Sequence, residues 1–244
     1  MNKKTLYSVI VLLFLFIIFA CTSSPTIHEQ SNATQDNLNV ITLPPYEMVR
    51  PSENVNAMLA YNMGTELMRQ NRLEEAERFL KIAIDLDPEF VDALDHLGIV
   101  LRRQNRLDEA EEIYLRSISL NNENKVPFIN LALIYRIQGR LNDSMQLYRR
   151  VIEIDRFDPE GYFGMGTLFF IIDDYNNAMT LFNLAEVLYL NQNSPIVTSV
   201  YFYKGLIYFN TGNYDEALGY LEEAKKGMPD NETIDRVISE IRNR

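Results

Sequence analysis

From residue 57 onward, apolar side chains recur at helical spacing. Ala60, Met63, Gly64 and Leu67 stand at i, i+3, i+4 and i+7, which places them on one face of a helix. A second amphipathic stretch follows, carrying Ala76, Leu80 and Ala83. The pattern then restarts, and it does so down most of the chain. The links Gln70-Asn71-Arg72, Gln138-Gly139-Arg140 and Thr211-Gly212-Asn213 interrupt it as turns, while Asp87-Pro88, Asp158-Pro159 and Met228-Pro229 end pairs of stretches. Helical hairpins are therefore expected. Residues 232–244 space Ile234, Val237, Ile238 and Ile241 helically and read as a final capping helix. The stretch YFGMGTLFFII at residues 162–172 is apolar all round, and residues 200–209 nearly so. A helix apolar on every side should be covered on every side.

The restart has a fixed period. MGTELMRQNRLEEAERFLKIAIDLDP from Met63 aligns with LGIVLRRQNRLDEAEEIYLRSISLNN from Leu97, and Gly64, Gly98, Ala132 and Gly166 recur at intervals of 34. Gly205 follows 39 residues after Gly166, so a five-residue insertion falls around residues 191–195. Copy one supplies Met63-Gly64, Leu67, Ala76, Leu80, Ala83 and Pro88; copy two Leu97-Gly98, Leu101, Ala110, Tyr114, Ser117 and Leu120. Copy three has Leu131-Ala132, Tyr135, Ser144, Tyr148 and Val151; copy four Met165-Gly166, Phe169, Ala178, Phe182 and Ala185; copy five Gly205, Tyr208, Ala217, Leu221, Ala224 and Pro229. This column set resembles the tetratricopeptide repeat. The resemblance implies an all-α, right-handed α-solenoid of five helical hairpins over residues 57–231, closed by the capping helix, since no such hairpin buries its stripe alone.

In such a solenoid the first helix of each hairpin lines a concave groove. The expected groove columns are Tyr61, Asp95, Ile129, Phe163 and Phe202; Thr65, Ile99, Leu133, Thr167 and Leu206; and Met68, Arg102, Arg136, Phe170 and Phe209. Their character changes along the stack. Arg69, Arg102, Arg103 and Arg136 mark the early copies, whereas Phe163, Phe170, Ile171, Phe202 and Phe209 mark the late ones. Uncovered apolar patches of this kind mark binding sites. Three things could cover this one: the curvature of the superhelix, a partner peptide or helix, or the chain's own residues 38–49 or a second copy. The arginines read as a solvated edge or, if functional, as a seat for a carboxylate. Family members that clamp chaperone C-termini set Lys and Asn, then Asn, then Lys and Arg on successive first helices. Tyr61, Thr65, His96, Val126 and Asn130 stand in those places here, so that clamp is not expected.

The start of the chain is of another kind. Lys3 and Lys4 precede the apolar residues 6–19, and Ala20-Cys21 is followed by Thr22-Ser23-Ser24-Pro25. The order basic, apolar, small is that of a secretory signal. A cysteine directly after the small residue resembles the lipobox of bacterial lipoproteins, which implies cleavage after residue 20 and lipid on Cys21. Phe19 is bulkier than the residue usual two places before that cysteine. Residues 21–56 hold Ser, Asn, Gln, Thr and four prolines and read as a flexible tether. Within it, residues 38–49 (LNVITLPPYEMV) are apolar. Thr22, where an aspartate would retain an enteric lipoprotein in the inner membrane, points to the outer membrane.

Composition narrows the function. A formal charge of −11 repels phosphate backbones and argues against nucleic acid. One cysteine and two distant histidines give no disulfide framework and no metal-ligand spacing. There is no Gly-rich phosphate loop, nucleophile elbow or His-x-x-x-His pair. His96 beside Asp95 reads as a groove or surface histidine, and Asp173-Asp174 at a turn as helix-capping residues. The expectation is a non-enzymatic scaffold of the bacterial cell envelope that needs no cofactor. It holds a protein partner in its groove, with self-association as a further option. Similar bacterial lipoproteins help assemble outer-membrane machines such as pilus secretins. The rival reading is an accessory of a solute-import system with an apolar pocket in copies four and five.

Overall fold

The computed structural model describes residues 52–243; the expected signal segment, the expected lipidation site Cys21 and the expected tether up to residue 51 lie outside them. The described residues form eleven α-helices and no strand. In chain order these are α1 Val55–Arg69, α2 Leu73–Leu86, α3 Val91–Arg103, α4 Leu107–Leu120, α5 Lys125–Ile137 and α6 Leu141–Ile154. They continue as α7 Pro159–Ile171, α8 Tyr175–Asn191, α9 Val197–Asn210, α10 Tyr214–Gly227 and α11 Glu232–Arg242. α1 begins two residues ahead of the expected boundary at 57.

Every hairpin turn is built alike. The backbone N–H of Arg72, Arg106, Arg140, Asp174 and Asn213 reaches back to the carbonyls of Leu67, Leu101, Tyr135, Phe169 and Tyr208 at 2.8–2.9 Å. This closure needs a left-handed residue just before it. Asn71, Asn105, Gly139, Asp173 and Gly212 supply it, with φ between 61° and 80°. Those residue types tolerate that region best, which is why Asn, Asp and Gly recur there. Between hairpins, the side chains of Asp87, Asn121 and Asp155 accept from the backbone two residues on, ending one unit. Asn54, Asn124, Asp158 and Asn231 then cap the next helix.

The hairpins α1–α2, α3–α4, α5–α6, α7–α8 and α9–α10 stack in order, each second helix packing on the next first helix. First helices also touch one another in succession, α1 to α3, α3 to α5, α5 to α7 and α7 to α9, so they form the inner layer. Repeat columns make the core: Ala76, Ala110, Ala178 and Ala217 are fully buried, as are Leu80, Tyr114, Phe182 and Leu221. The glycine column seats these large residues. A Cβ on Gly98 would stand 2.5 Å from the Tyr114 ring, and one on Gly166 2.7 Å from that of Phe182. The insertion before copy five is partly absorbed by α8, which has 17 residues where the other second helices have 14.

The two ends of the stack differ. At the C-terminal end α11 buries Ile234, Val237 and Ile238 against Leu221 and Ala224. At the other end Leu59 and Met63 are 59% and 49% exposed, whereas the residues in the same columns of later copies, such as Ala93, Leu97, Leu131 and Val200, are buried. Among the described residues no helix precedes α1 to cover them.

Candidate partner-binding face

The inner layer is built by the residues that α1, α3, α5, α7 and α9 turn away from their hairpin partners. Of the expected groove residues, Ile129, Leu133, Phe163, Phe170, Phe202, Phe209, Arg102 and Arg136 are all half-buried, and Ile171 at the end of α7 is 47% exposed. None is sealed in the core.

Two members of the expected columns are elsewhere. Asp95 is 3% exposed, and its carboxylate accepts from Ser117 Oγ at 2.5 Å and Asn124 Nδ2 at 2.6 Å. Burial pushes its carboxyl up to about 6, against the hydrogen bonds that hold it down. Asn124 caps α5, so Asp95 joins three helices across two hairpins rather than facing a ligand. Thr167 is likewise buried, its hydroxyl donating to the Gly164 carbonyl at 2.6 Å. A column defined by helical angle alone passes over both, because neighbouring hairpins close over its edge. His96 is half-buried, with Nδ1 at 2.9 Å from the Asp92 carbonyl and the Tyr61 ring edge-on at 5.2 Å.

The aromatic end is packed. Tyr203 of α9 lies 5.7 Å from Phe163, 5.3 Å from Phe170, 5.4 Å from Phe182 and 5.4 Å from Phe202, centroid to centroid. These spacings are those of favourable ring pairs. Tyr203 fills the space between α7 and α9, so the rings contact one another instead of lining a cavity. The cover that α7 and α9 require thus comes in part from each other. Lys204, beside it, is 4% exposed, pairs with Glu186 at 2.6 Å and lies 4.5 Å over the Tyr220 ring. Neither residue was singled out from sequence. Lys204 stands in the column held by Leu97 and Leu131, and a lysine there is the one available signal.

The arginines divide. Arg69 pairs with Glu66 on its own helix. Arg103 donates to the Met68 carbonyl at 3.2 Å and to Asn71 Oδ1 at 2.8 Å, tying α3 to the first turn. Arg102 and Arg136 have no carboxylate within ion-pair distance among the described residues. They lie instead by the phenols of Tyr114 and Tyr148: burial raises both phenols, Tyr148 to about 12, and Arg102 and Arg136 pull the other way. On the outer side, by contrast, a ladder of pairs links the hairpins, with Arg106 on Glu77 and Glu109 and Arg140 on Glu111 and Asp143. Among the described residues there is no cluster of His, Cys, Asp and Glu able to hold a metal ion, and no helix long and apolar enough to cross a membrane.

Comparison with known proteins agrees with this layout. Residues 48–156 match the family model of the cilia and flagella-associated protein 70 middle TPR-like domain, and residues 198–231 match that of the tetratricopeptide repeat. No curated protein sequence matches the chain. Among solved structures, a chain of the APC/C hetero-tetramer Cut9-Hcn1 superposes with a TM-score of 0.71 at 17% identity, over 76% of this chain and 36% of that one. This chain thus spans little more than a third of that structure. PilF of Pseudomonas aeruginosa gives 0.62 at 19% identity, over 70% and 76% of the two chains. YrrB, described as a TPR protein with an unusual peptide-binding site, gives 0.53 at 20% identity, over 77% and 92%. At these identities the likeness is one of fold.

Proposed function

We propose that this tetratricopeptide-repeat protein, a scaffold for protein–protein interaction, binds a segment of a partner protein along its inner layer while lipid on Cys21 fixes it to a membrane of the bacterial envelope. The observation that carries the first half is the half-buried row Ile129, Leu133, Phe163, Phe170, Phe202 and Phe209 on touching first helices. Apolar area continuous over several helices is what an amphipathic or extended peptide needs. On the outer side, ion pairs of Arg106 and Arg140 tie successive hairpins to one another. No catalytic role is assigned to any residue. The second half rests on the lipobox-like Ala20-Cys21 after residues 6–19 and on the proline-bearing tether. Several acyl chains, at about 0.8 kcal/mol per buried CH₂, make such anchoring durable.

Site-specific photocrosslinking in the native cell tests the first half. A photoreactive residue at Ile129 or Leu133 is expected to give a discrete protein adduct that the same residue at Glu222, on the outer surface, does not give. Identical adducts from both faces, or none from the inner one, would refute the assignment. For the anchor, Cys21→Ala is expected to move the protein from the membrane to the soluble fraction. The mature wild-type N-terminus should carry acyl mass on Cys21. An unmodified Cys21, or unchanged fractionation, would discard it.

A further inference from the structure

Three buried polar atoms without a hydrogen-bond partner stand out among the described residues: Nε of Arg102, Nε of Arg136 and the phenol oxygen of Tyr114. All three belong to copies two and three. Their clustering follows from the repeat. Arg102 and Arg136 occupy one column of α3 and α5, which touch, and Tyr114 and Tyr148 occupy one column of α4 and α6. In copies four and five the arginine column turns into Phe170 and Phe209 and the tyrosine column into Phe182 and Leu221. The solenoid therefore has a polar stretch of floor next to an aromatic one.

Buried donors left unpaired are costly, and nearly all in folded proteins find an acceptor. Both Nε atoms are closed to solvent, so a ligand can meet only the terminal nitrogens, on which the described residues place no carboxylate. The other basic side chains that are at least half-buried among the described residues, Arg106, Lys125, Arg150 and Lys204, all have carboxylates at 2.6–2.9 Å, in a chain with a large excess of acid. Two guanidiniums kept clear of that excess, on adjacent helices of the inner layer, are arranged for an anion that arrives from outside. A guanidinium presents its donors in a planar fork that fits a carboxylate through two parallel hydrogen bonds.

We infer that Arg102 and Arg136 form a carboxylate seat on the inner layer. Its ligand is a Glu or Asp side chain within a partner segment, whose neighbouring apolar side chains fall on Phe163, Phe170 and Phe202. This rests on the inner-layer reading above and adds the chemistry of the partner. Nothing at Tyr61, Thr65, His96, Val126 or Asn130 supplies the basic set that would hold a chain terminus, so an internal side chain is the source.

The test is selection of a random dodecapeptide library, displayed with its C-terminus fused so that no terminal carboxylate is offered, on the full chain. Selected sequences are expected to carry Glu or Asp beside aromatic or branched apolar residues. Arg102→Gln/Arg136→Gln, checked for unchanged helical content, should abolish the acidic preference, and Arg102→Glu/Arg136→Glu should select Lys or Arg in its place. For one resynthesised peptide, Glu→Gln should weaken binding to the wild type about tenfold and leave binding to the Gln variant unchanged. Apolar sequences without acid, equally bound by the arginine variants but lost with Leu133→Asp, would overturn the carboxylate seat and leave the scaffold reading standing. Failure to select any peptide from any variant would overturn the seat, and crosslinking at Ile129 and Leu133 then decides the scaffold reading separately. A resynthesised free peptide that loses as much binding on C-terminal amidation as on Glu→Gln would overturn the side-chain source.

Discussion

Asp95 shows how one residue's surroundings rewrite its role. Alone, an aspartate on a groove column suggests a ligand contact; three per cent exposed, it is a strut between α3, α4 and α5. Its carboxyl is raised from 3.8 to about 6 by burial. The folded chain therefore holds a proton that the unfolded chain has released. The stability this contributes is complete below about pH 3.8 and is lost as pH rises through about 6. The span corresponds to on the order of 2–3 kcal/mol. Asp95→Asn preserves the shape, with its carbonyl accepting from Asn124 and its amide donating to Ser117. Urea unfolding from pH 4 to 7 should show the wild type losing at least about 1 kcal/mol relative to the variant. A difference that stays constant with pH would show that Asp95 is ionised throughout.

At the scale of the element, α9 is the informative helix. Its sequence is apolar nearly all round, yet its buried residues include Lys204. The lysine reaches Glu186 on α8 and lies over Tyr220 on α10, so one charge joins three helices where Leu97 and Leu131 of other copies pack only apolar atoms. Breaking a buried pair costs more than replacing it. Lys204→Met alone should destabilise by about 2–3 kcal/mol, because Glu186 loses its partner, while Lys204→Met with Glu186→Leu should return to within about 1 kcal/mol of wild type. A double variant as unstable as the single one would mean that packing, not charge, sets the cost.

At the scale of the whole described molecule, stability is carried by contacts between neighbours, as in other stacked repeats. The last hairpin depends on α11. Removing residues 231–244 uncovers Leu221 and Ala224 and discards the burial of Ile234, Val237 and Ile238. At about 1.5–3 kcal/mol for each such side chain, the loss is about 5–9 kcal/mol, concentrated at that end. Hydrogen exchange should rise first in α9 and α10 while α3 to α6 keep their protection. A uniform loss of protection would mean that the repeats unfold as a single unit.

The period of 34, the helical spacing and the Asn, Asp and Gly turn residues suffice to determine eleven helices, their pairing and the capping role of α11. Each of these depends on contacts between residues near in sequence or on a column that repeats. The inner face was legible only as a set of angles. Which members remain open was decided by the neighbouring hairpins: they sealed Asp95 and Thr167, left Ile129 and Leu133 half-exposed, and laid Tyr203 across rings from α7 and α8. The fate of the charges was decided in the same way. Helical angle separates Arg102 from Arg103, one residue on, but does not say what either will meet. Only the stacking of α1, α3 and α5 turns one toward Asn71 and leaves the other without a carboxylate. Helix formation is set by local energetics, whereas burial and pairing are set by what a distant part of the chain brings into contact.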